Sequence, residues 1–241
     1  MGKNINSPSL TKKLMSSISI IIPVLNEVST IAQTISTAKT GKDIEIIVVD
    51  GGSNDGTIEV VKSLDIKLIY SFPGRSIQMN CGGKAATGNI LLFLHGDTFL
   101  PLKFDQLLRE VLAKPNIIAG AFELGIKGRK KNLRIVEKMV NWRSRYLQMP
   151  YGDQGIFLPA KIFEEIGGFP EIPIMEDFEL IRKLRKRGKI GIVSKPVLTS
   201  GRRWQKLGIF KTTLINQVVV IAYLLGVSPK ILGQWYRSHF K

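Results

Sequence analysis

The chain has 241 residues, 44% of them hydrophobic, with one cysteine and a formal net charge of +16: long enough for one large domain with a real core, and unable to form an internal disulfide. The segment up to Ser17 lacks the apolar run of a signal peptide, so the expected location is the reducing cytoplasm. No Asp or Glu follows Glu179 but 14 Lys and Arg do, against 21 basic and 19 acidic side chains in residues 1–179, and so basic a C-terminal quarter suits a polyanion: nucleotide diphosphate, anionic membrane or nucleic acid.

Residues 1–16 read as a disordered tail. Ser17 to Val24, SISIIIPV, is a strand that ends at Pro23 in a loop through Asn26 and Glu27, followed by a helix to about Ala38. Glu45 to Val49 is a second strand ending in Asp50. The turn residues GGSNDGT follow, then a helix over about 57–63 that Asn54 or Asp55 can cap. Lys67 to Tyr70 is a short strand, and a helix is expected from Ser76 to about Ala86. In NILLFLHGDT the apolar run Ile90 to Leu94 reads as a fully buried central strand, breaking at His95, Gly96 and Asp97. An Asp at such a strand end suits a hard divalent cation that grips phosphate oxygens. Gly-Asp is equally a common turn dipeptide.

The second half is less regular. A helix is expected from Pro101 to about Leu112 and a strand from Ile117 to Leu124. Between Gly125 and Arg145, Leu133, Val136 and Val140 mark an amphipathic helix with a charged face. Tyr151 to Leu158 reads as a strand entered through a Gly-Asp turn, and Lys161 to Ile166 as a short helix. The acids Glu176, Asp177 and Glu179 open a helix that ends in basic residues, an arrangement the helix dipole alone would explain. Lys189 to Ser194 is the last strand, and Thr199 to Trp204 an arginine-rich loop. The uninterrupted apolar run Val218 to Leu225 is too short to span a bilayer. With Lys206, Lys211, Lys230, Trp235 and Tyr236 around it, it suits a core helix with a basic rim or a helix lying on an anionic membrane face.

Alternating strands and helices with short connections predict a Rossmann-like α/β fold, with a mostly parallel sheet covered on both faces and a basic helical C-terminal part. The carboxyl ends of the strands then share one edge, which gathers Asn26, Glu27, Asp50, the loop before Arg75, and His95 to Asp97.

The series IIIPVLNE, VVDGGSNDGT, FPGRSIQMNCGGKAATG, LLFLHGDT, MEDFEL and GRRW, in this order and spacing, resembles the family 2 glycosyltransferases of the GT-A fold over nearly the whole chain. GRSIQMN, with HGD in place of D-x-D, further resembles a bacterial subfamily associated with arsenosugar biosynthesis and radical-SAM proteins. The resemblance implies one glycosyltransferase domain over residues 17–241: a nucleotide-sugar half (17–100), an acceptor half (101–205) and C-terminal helices (206–241). It also implies inverting, metal-dependent transfer of a sugar from a UDP- or GDP-sugar to the hydroxyl of a small or lipid-borne acceptor, with no nucleic-acid partner. The enzyme would be cytoplasmic, with a peripheral membrane contact left open.

The family's pattern gives Asp97 the role of holding Mn2+ or Mg2+. His95 stands where the motif's first Asp belongs, and is a ligand, a donor to phosphate or a packed residue. Pro23, Glu27 and Asp50 match positions that embrace the nucleoside, and Gly51 stands where a second Asp is common. Arg75 would meet base or phosphate, with Gly83 and Lys84 further along the same helix. Asp177 matches the base that takes the acceptor proton, with Glu176 as runner-up. Arg202, Arg203 and Trp204 match the end of an R/QxxRW motif whose first position is here Ser200, and would clamp the diphosphate. A dehydrogenase is excluded because PVLNE stands where G-x-G-x-x-G is required. A nucleotidyltransferase of similar sheet architecture, or a non-catalytic protein binding nucleic acid or anionic membrane, remains as alternative.

Overall fold

Strand β1 (Ile18–Val24) is buried along its length, Pro23 alone being partly accessible, because it has a strand on each side and helices over both faces. It pairs in parallel with β2 (Ile44–Asp50) and β4 (Ile90–Phe93), and β2 pairs in parallel with β3 (Lys67–Tyr70). The computed structural model describes residues 16–128 and 130–240, without the side chains of residues 203, 205, 206 and 240. The expected tail, but for its last residue, and the Arg203 side chain therefore lie outside the described residues.

Alternate strand residues face opposite sides of a sheet, and here they feed two separate cores. Ile18, Ile20 and Ile22 pack with Ile31 and Ile35 of helix α1 (Ile31–Ala38). Ile21, Ile47, Val49 and Leu91 pack on the other side with Met79 and Phe163. Burying each such side chain contributes about 1.5–3 kcal/mol, and a one-residue slip would reverse the facing of a whole strand. Helices α2 (Thr57–Ser63) and α3 (Arg75–Ala85) complete the strand and helix alternation of the first half.

Beyond β4 come β5 (Thr98–Phe99), α4 (Phe104–Ala113), β6 (Ile117–Ile126), α5 (Lys131–Tyr146), a single 3-10 turn (Gly152–Gln154) and β7 (Ile156–Pro159). After these follow α6 (Ala160–Glu165), α7 (Glu176–Arg185), β8 (Lys189–Thr199), α8 (Arg202–Leu207), α9 (Ile209–Leu224) and α10 (Pro229–Phe240). The strands form one sheet in the order β3-β2-β1-β4-β7-β6-β8-β5. The expected parallel pairing holds for β3-β2-β1-β4. Past β4 the sheet is mixed: β7 is antiparallel to both β4 and β6, β8 is parallel to β6, and β5 is antiparallel to β8.

The cause lies in α5, which stays at the edge where β6 ends instead of crossing back. Asn141 accepts from Leu124 N at 2.7 Å and donates to Leu124 O at 3.0 Å, and Glu137 accepts from Ile126 N at 2.5 Å, so polar side chains of α5 act as a false strand beside β6. The chain is delivered to Gly152 at that same edge, and the next strand must run downward. The expected strand from Tyr151 is thereby split, its first part forming the 3-10 turn pinned by Gln154 Nε2 on Phe122 O at 2.9 Å.

The C-terminal helices pack on α7. Tyr223 meets Phe178 edge to face at 5.9 Å and donates its hydroxyl to Glu179 at 2.8 Å. Burial and that carboxylate push the Tyr223 phenol up to about 12. Among the described residues, no helix is long and apolar enough to cross a membrane.

Candidate active site

The loops after β1 and β2 interlock at the carboxyl edge of the sheet. Asn26 adopts φ 59°, a left-handed conformation Asn tolerates. Its side chain accepts from Asn54 N at 2.9 Å while its own N–H donates to Ser53 Oγ at 2.9 Å. Glu27 N donates to Thr57 Oγ1 at 2.8 Å and Val28 N to Asp55 at 3.1 Å. Asp50 is only 1% exposed, and its carboxylate accepts from Gly52 N at 2.7 Å and Ser53 N at 3.0 Å. It therefore shapes the loop at the end of β2, where Pro23 lies opposite Val49 on the adjoining strand. Asp55 is held below the usual carboxylate range mainly by Thr57, and secures the start of α2.

Gln78 was not foreseen. It is buried on α3 and donates to Val24 O and Val49 O, each at 2.8 Å, tying together the ends of β1 and β2. A Cβ on Gly51 would stand 3.0 Å from the Gln78 carboxamide carbon. This explains why glycine occupies the position where the family often has a second Asp.

The loop after β1 and the turn after β4 also meet, since the two strands are neighbours. The Arg202 guanidinium lies between them, its Nη2 2.5 Å from Glu27 Oε2 and 3.1 Å from Asp97 Oδ2. Ser200 N donates to Asp97 O at 3.0 Å, bringing the start of α8 to this point. Desolvation works against the charge on Arg202, but hydrogen bonds to Glu27 and Asp97 outweigh it and raise its pKa. Two carboxylates from distant parts of the chain thus already hold a positive group. That donor set fits a hard cation completing its shell with phosphate oxygens. Among the described residues no three His, Cys, Asp or Glu side chains form a fuller metal cage.

A second cluster forms where α7 begins. Gly152 N donates to Asp177 Oδ2 at 2.6 Å, and Phe178 N to Asp177 Oδ1 at 2.7 Å, so the carboxylate is oriented by two backbone amides. His95 belongs here: a Cβ on Gly152 would lie 3.0 Å from His95 Nε2 and 3.2 Å from Asp177 Oδ2. His95, expected as a ligand, a donor to phosphate or a packed residue, is thus set on the Asp177 side of the edge. Beside it, Glu176 is buried and pairs with Arg75 Nη1 at 3.1 Å. Burial raises the Glu176 pKa and the neighbouring Asp177 adds to this, while Arg75 opposes it. Arg75 itself stays firmly charged against desolvation because Glu176 and Asp177 face it.

Glu27, Asp50, Arg75, His95, Asp97, Glu176, Asp177 and Arg202 are accordingly distributed along one edge. Lys84 does not join them. It is exposed near the end of α3, next to Ala85, whose carbonyl accepts from Lys67 at the opposite end of β3. Trp204 packs against the cluster of Leu124, Ile126, Leu133 and Val136, which makes its visible role one of seating α8. Gly152 appears in the sequence only as part of a turn. No sequence signal singles it out, since its place beside His95 follows from the antiparallel direction of β7.

Residues 19–167, more than half of the chain, match the model of glycosyl transferase family 2, and the chain belongs to that family. An uncharacterized glycosyltransferase of Rickettsia conorii is 32% identical over 187 residues, covering 69% of this chain and 31% of the relative. Another, from Rickettsia prowazekii, is 29% identical over 199 residues, covering 75% of this chain and 59% of the relative. The chain thus spans between about a third and three fifths of these relatives' lengths.

Among solved structures, S. aureus TarS 1–349 superposes with a TM-score of 0.61 at 17% identity, over 85% of this chain and 64% of that one. The mannosyltransferase PcManGT from Pyrobaculum calidifontis, in complex with GDP-Man and Mn2+, gives 0.60 at 19% identity, over 80% of this chain and 62% of that one. At such identities the likeness is one of fold, and the fold is of the GT-A type.

Proposed function

We propose that this chain is an inverting glycosyltransferase that moves a sugar from a nucleotide-diphosphate sugar, UDP- or GDP-linked, to an acceptor hydroxyl. The observation that carries the reading is the division of one sheet edge into a carboxylate pair around a positive centre, Glu27 and Asp97, and a separately anchored carboxylate, Asp177. Family membership favours transfer over the nucleotidyltransferase alternative.

Asp97 and Glu27 would hold Mn2+ or Mg2+, which supplies charge compensation for the departing diphosphate. A donor bound there would draw Arg202 off the carboxylates, and its guanidinium, with Arg203 next in sequence, would face the diphosphate. Pro23 and the loop shaped by Asp50 line the nucleoside side. Asp177, its geometry fixed by Gly152 and Phe178, accepts the acceptor's hydroxyl proton. The acceptor oxygen bonds to the anomeric carbon on the face opposite the leaving group. The bond from that carbon to the diphosphate oxygen breaks, and the nucleoside diphosphate leaves with the electron pair. Arg75 and buried Glu176 brace the first turn of α7 and so keep Asp177 in place.

The acceptor in this reading is a small molecule or a lipid-borne one. The narrower likeness carried by GRSIQMN and HGD, toward arsenosugar biosynthesis, would give the small diffusible kind. Location in the cytoplasm with peripheral contact to an anionic membrane completes the proposal. The test is thermal unfolding with UDP- and GDP-sugars, each with and without Mn2+. The reading requires at least one donor to raise Tm only in the presence of the cation. No response from any donor under either condition would overturn it.

A further inference from the structure

Helix α9 is apolar nearly all round, which suits a helix buried on every side, yet only one face is covered. Thr212, Ile215 and Val219 are buried, and the opposite face presents Phe210, Leu214, Ile221 and Leu225 at 81%, 65%, 56% and 80% exposure. Helix α5 repeats the arrangement: Leu133 and Val136 are buried, and Ile135, Met139, Trp142 and Tyr146, at helical spacing, are each more than half exposed. Of the 20 large apolar side chains exposed among the described residues, 14 lie on α5, α9, α10 or the turns that follow them. Monomeric soluble surfaces rarely concentrate apolar area in this way.

The two stripes adjoin. The start of α9, at Ile209, packs into the cluster formed by Leu133, Val136 and Val140, so the helices lie against each other there. Their ends meet again, because Leu147 after α5 and Leu224 of α9 line one open cleft of about 580 Å3 together with Arg182 and Arg185 of α7. The same surface is rimmed by Lys131, Lys138, Lys211 and Lys230, all exposed. Apolar stripes flanked by Lys and Arg, with Trp142, Tyr146 and Trp235 among them, are the composition of helices that lie in a lipid interface.

We propose that α5 and α9 together form a docking surface for an anionic membrane, with the cleft between their ends seating lipid headgroups on Arg182 and Arg185. Charge decides between this occupant and a second copy of the chain. No acidic residue follows Glu179, and the carboxylates beside this face, Glu137 and Glu179, are already paired with Arg134 and Arg182, so a dimer through it would set the remaining like charges against each other. The proposal deepens the functional reading by naming how an acceptor is presented. It rests on that reading only for this consequence, since α7 carries Asp177 at its start and Arg182 and Arg185 toward its end. A membrane on this surface would bring a lipid-borne acceptor to the Asp177 side of the sheet edge.

The experiment is co-sedimentation of the full chain with vesicles of phosphatidylglycerol and phosphatidylcholine, and of phosphatidylcholine alone, across a salt series and without any donor. Binding is therefore read whether or not sugar transfer occurs. The expected result is binding to the anionic vesicles that weakens as salt shortens the Debye length. Trp142→Glu and Ile221→Glu, both on exposed positions, should each weaken it about tenfold or more. Leu102→Glu, exposed on a distant loop at 74%, should leave it unchanged. Failure to bind anionic vesicles at low salt would overturn the proposal, as would stripe variants that bind like the parent. Concentration-dependent dimerisation abolished by those stripe variants, without vesicle binding, would assign the surface to a second copy instead.

Discussion

The N–H of Gly152 donates to Oδ2 of Asp177 across 25 positions of sequence, at 2.6 Å. The bond exists because the chain reaches Gly152 at the carboxyl edge of β4 before β7 runs away from it, and residues 160–175 bring the chain back to that edge where α7 starts. A Cβ on Gly152 would press on both Asp177 and His95. Gly152→Ala should therefore fold but displace the carboxylate, lowering kcat about 100-fold, as misplacement by an ångström can. Asp177→Asn keeps the shape and loses the acceptor of the proton, lowering transfer by about 10²–10⁴-fold with donor binding retained. Steady-state kinetics beside donor titrations check both. An active Asp177→Asn with an inactive Glu176→Gln would reverse their roles.

In the proposed reading Arg202 would compete with the cation for Glu27 and Asp97. Arg202→Gln should raise the affinity for Mn2+ measured without nucleotide, by up to about tenfold because the guanidinium is nearly half exposed and such pairs are weak. Transfer should nonetheless slow, since the diphosphate loses a guanidinium. Manganese titration followed by electron paramagnetic resonance reads the first effect. Unchanged Mn2+ affinity would separate Arg202 from the cation site.

The pair Arg75 and Glu176 makes stability depend on pH in a definite direction. Glu176 already has a pKa raised above 4.5 by burial, and Arg75→Met removes the group that opposes this rise. A carboxyl whose folded pKa is raised gives stability that is present below its unfolded pKa and lost as pH rises through the folded value. The variant's deficit should then be small near about pH 5 and grow toward about pH 8, reaching roughly 1–2 kcal/mol after discounting for the exposure of Arg75. Thermal unfolding at the two pH values measures it. An equal deficit at both would show that packing rather than charge is lost.

Gly51 and Gln78 are expected to be coupled. Gly51→Asp alone should cost about 1–3 kcal/mol by overpacking against the carboxamide, and Gln78→Ser should relieve part of that in the double variant. Chemical denaturation of the four proteins in this cycle gives the coupling. Additive losses would mean that the two side chains do not meet.

The first half was legible because its strands are continuous apolar runs separated by helices, a pattern with one favoured topology. A parallel sheet, whose strand carboxyl ends share one edge, also placed Glu27, Asp50 and Asp97 together. The direction of β7 was not legible, since IFLP reads the same in a parallel or an antiparallel strand, and its turn is set by Gln154 reaching a carbonyl 32 positions away. Arg202 was expected at this edge as a diphosphate clamp, and the structure brings it there. Its position between two carboxylates depends on β8 running on to Thr199, five residues past its expected end. Gln78 was invisible because an amide inside a helix gives no sign of which strand ends it will tie. Lys84 lies away from this edge for a simpler reason: a helix that starts at the edge carries its last turn away from it.

The central claim is that Asp97, with Glu27, anchors the cation that holds a nucleoside diphosphate at this edge. The most direct measurement is isothermal titration of UDP and GDP into the parent chain and into Asp97→Ala, each in Mn2+ and in chelator. The account predicts Mn2+-dependent binding of one nucleotide by the parent and its loss in Asp97→Ala, with residual affinity equal to that of the parent in chelator. Equal affinity of the two proteins in Mn2+ would contradict it.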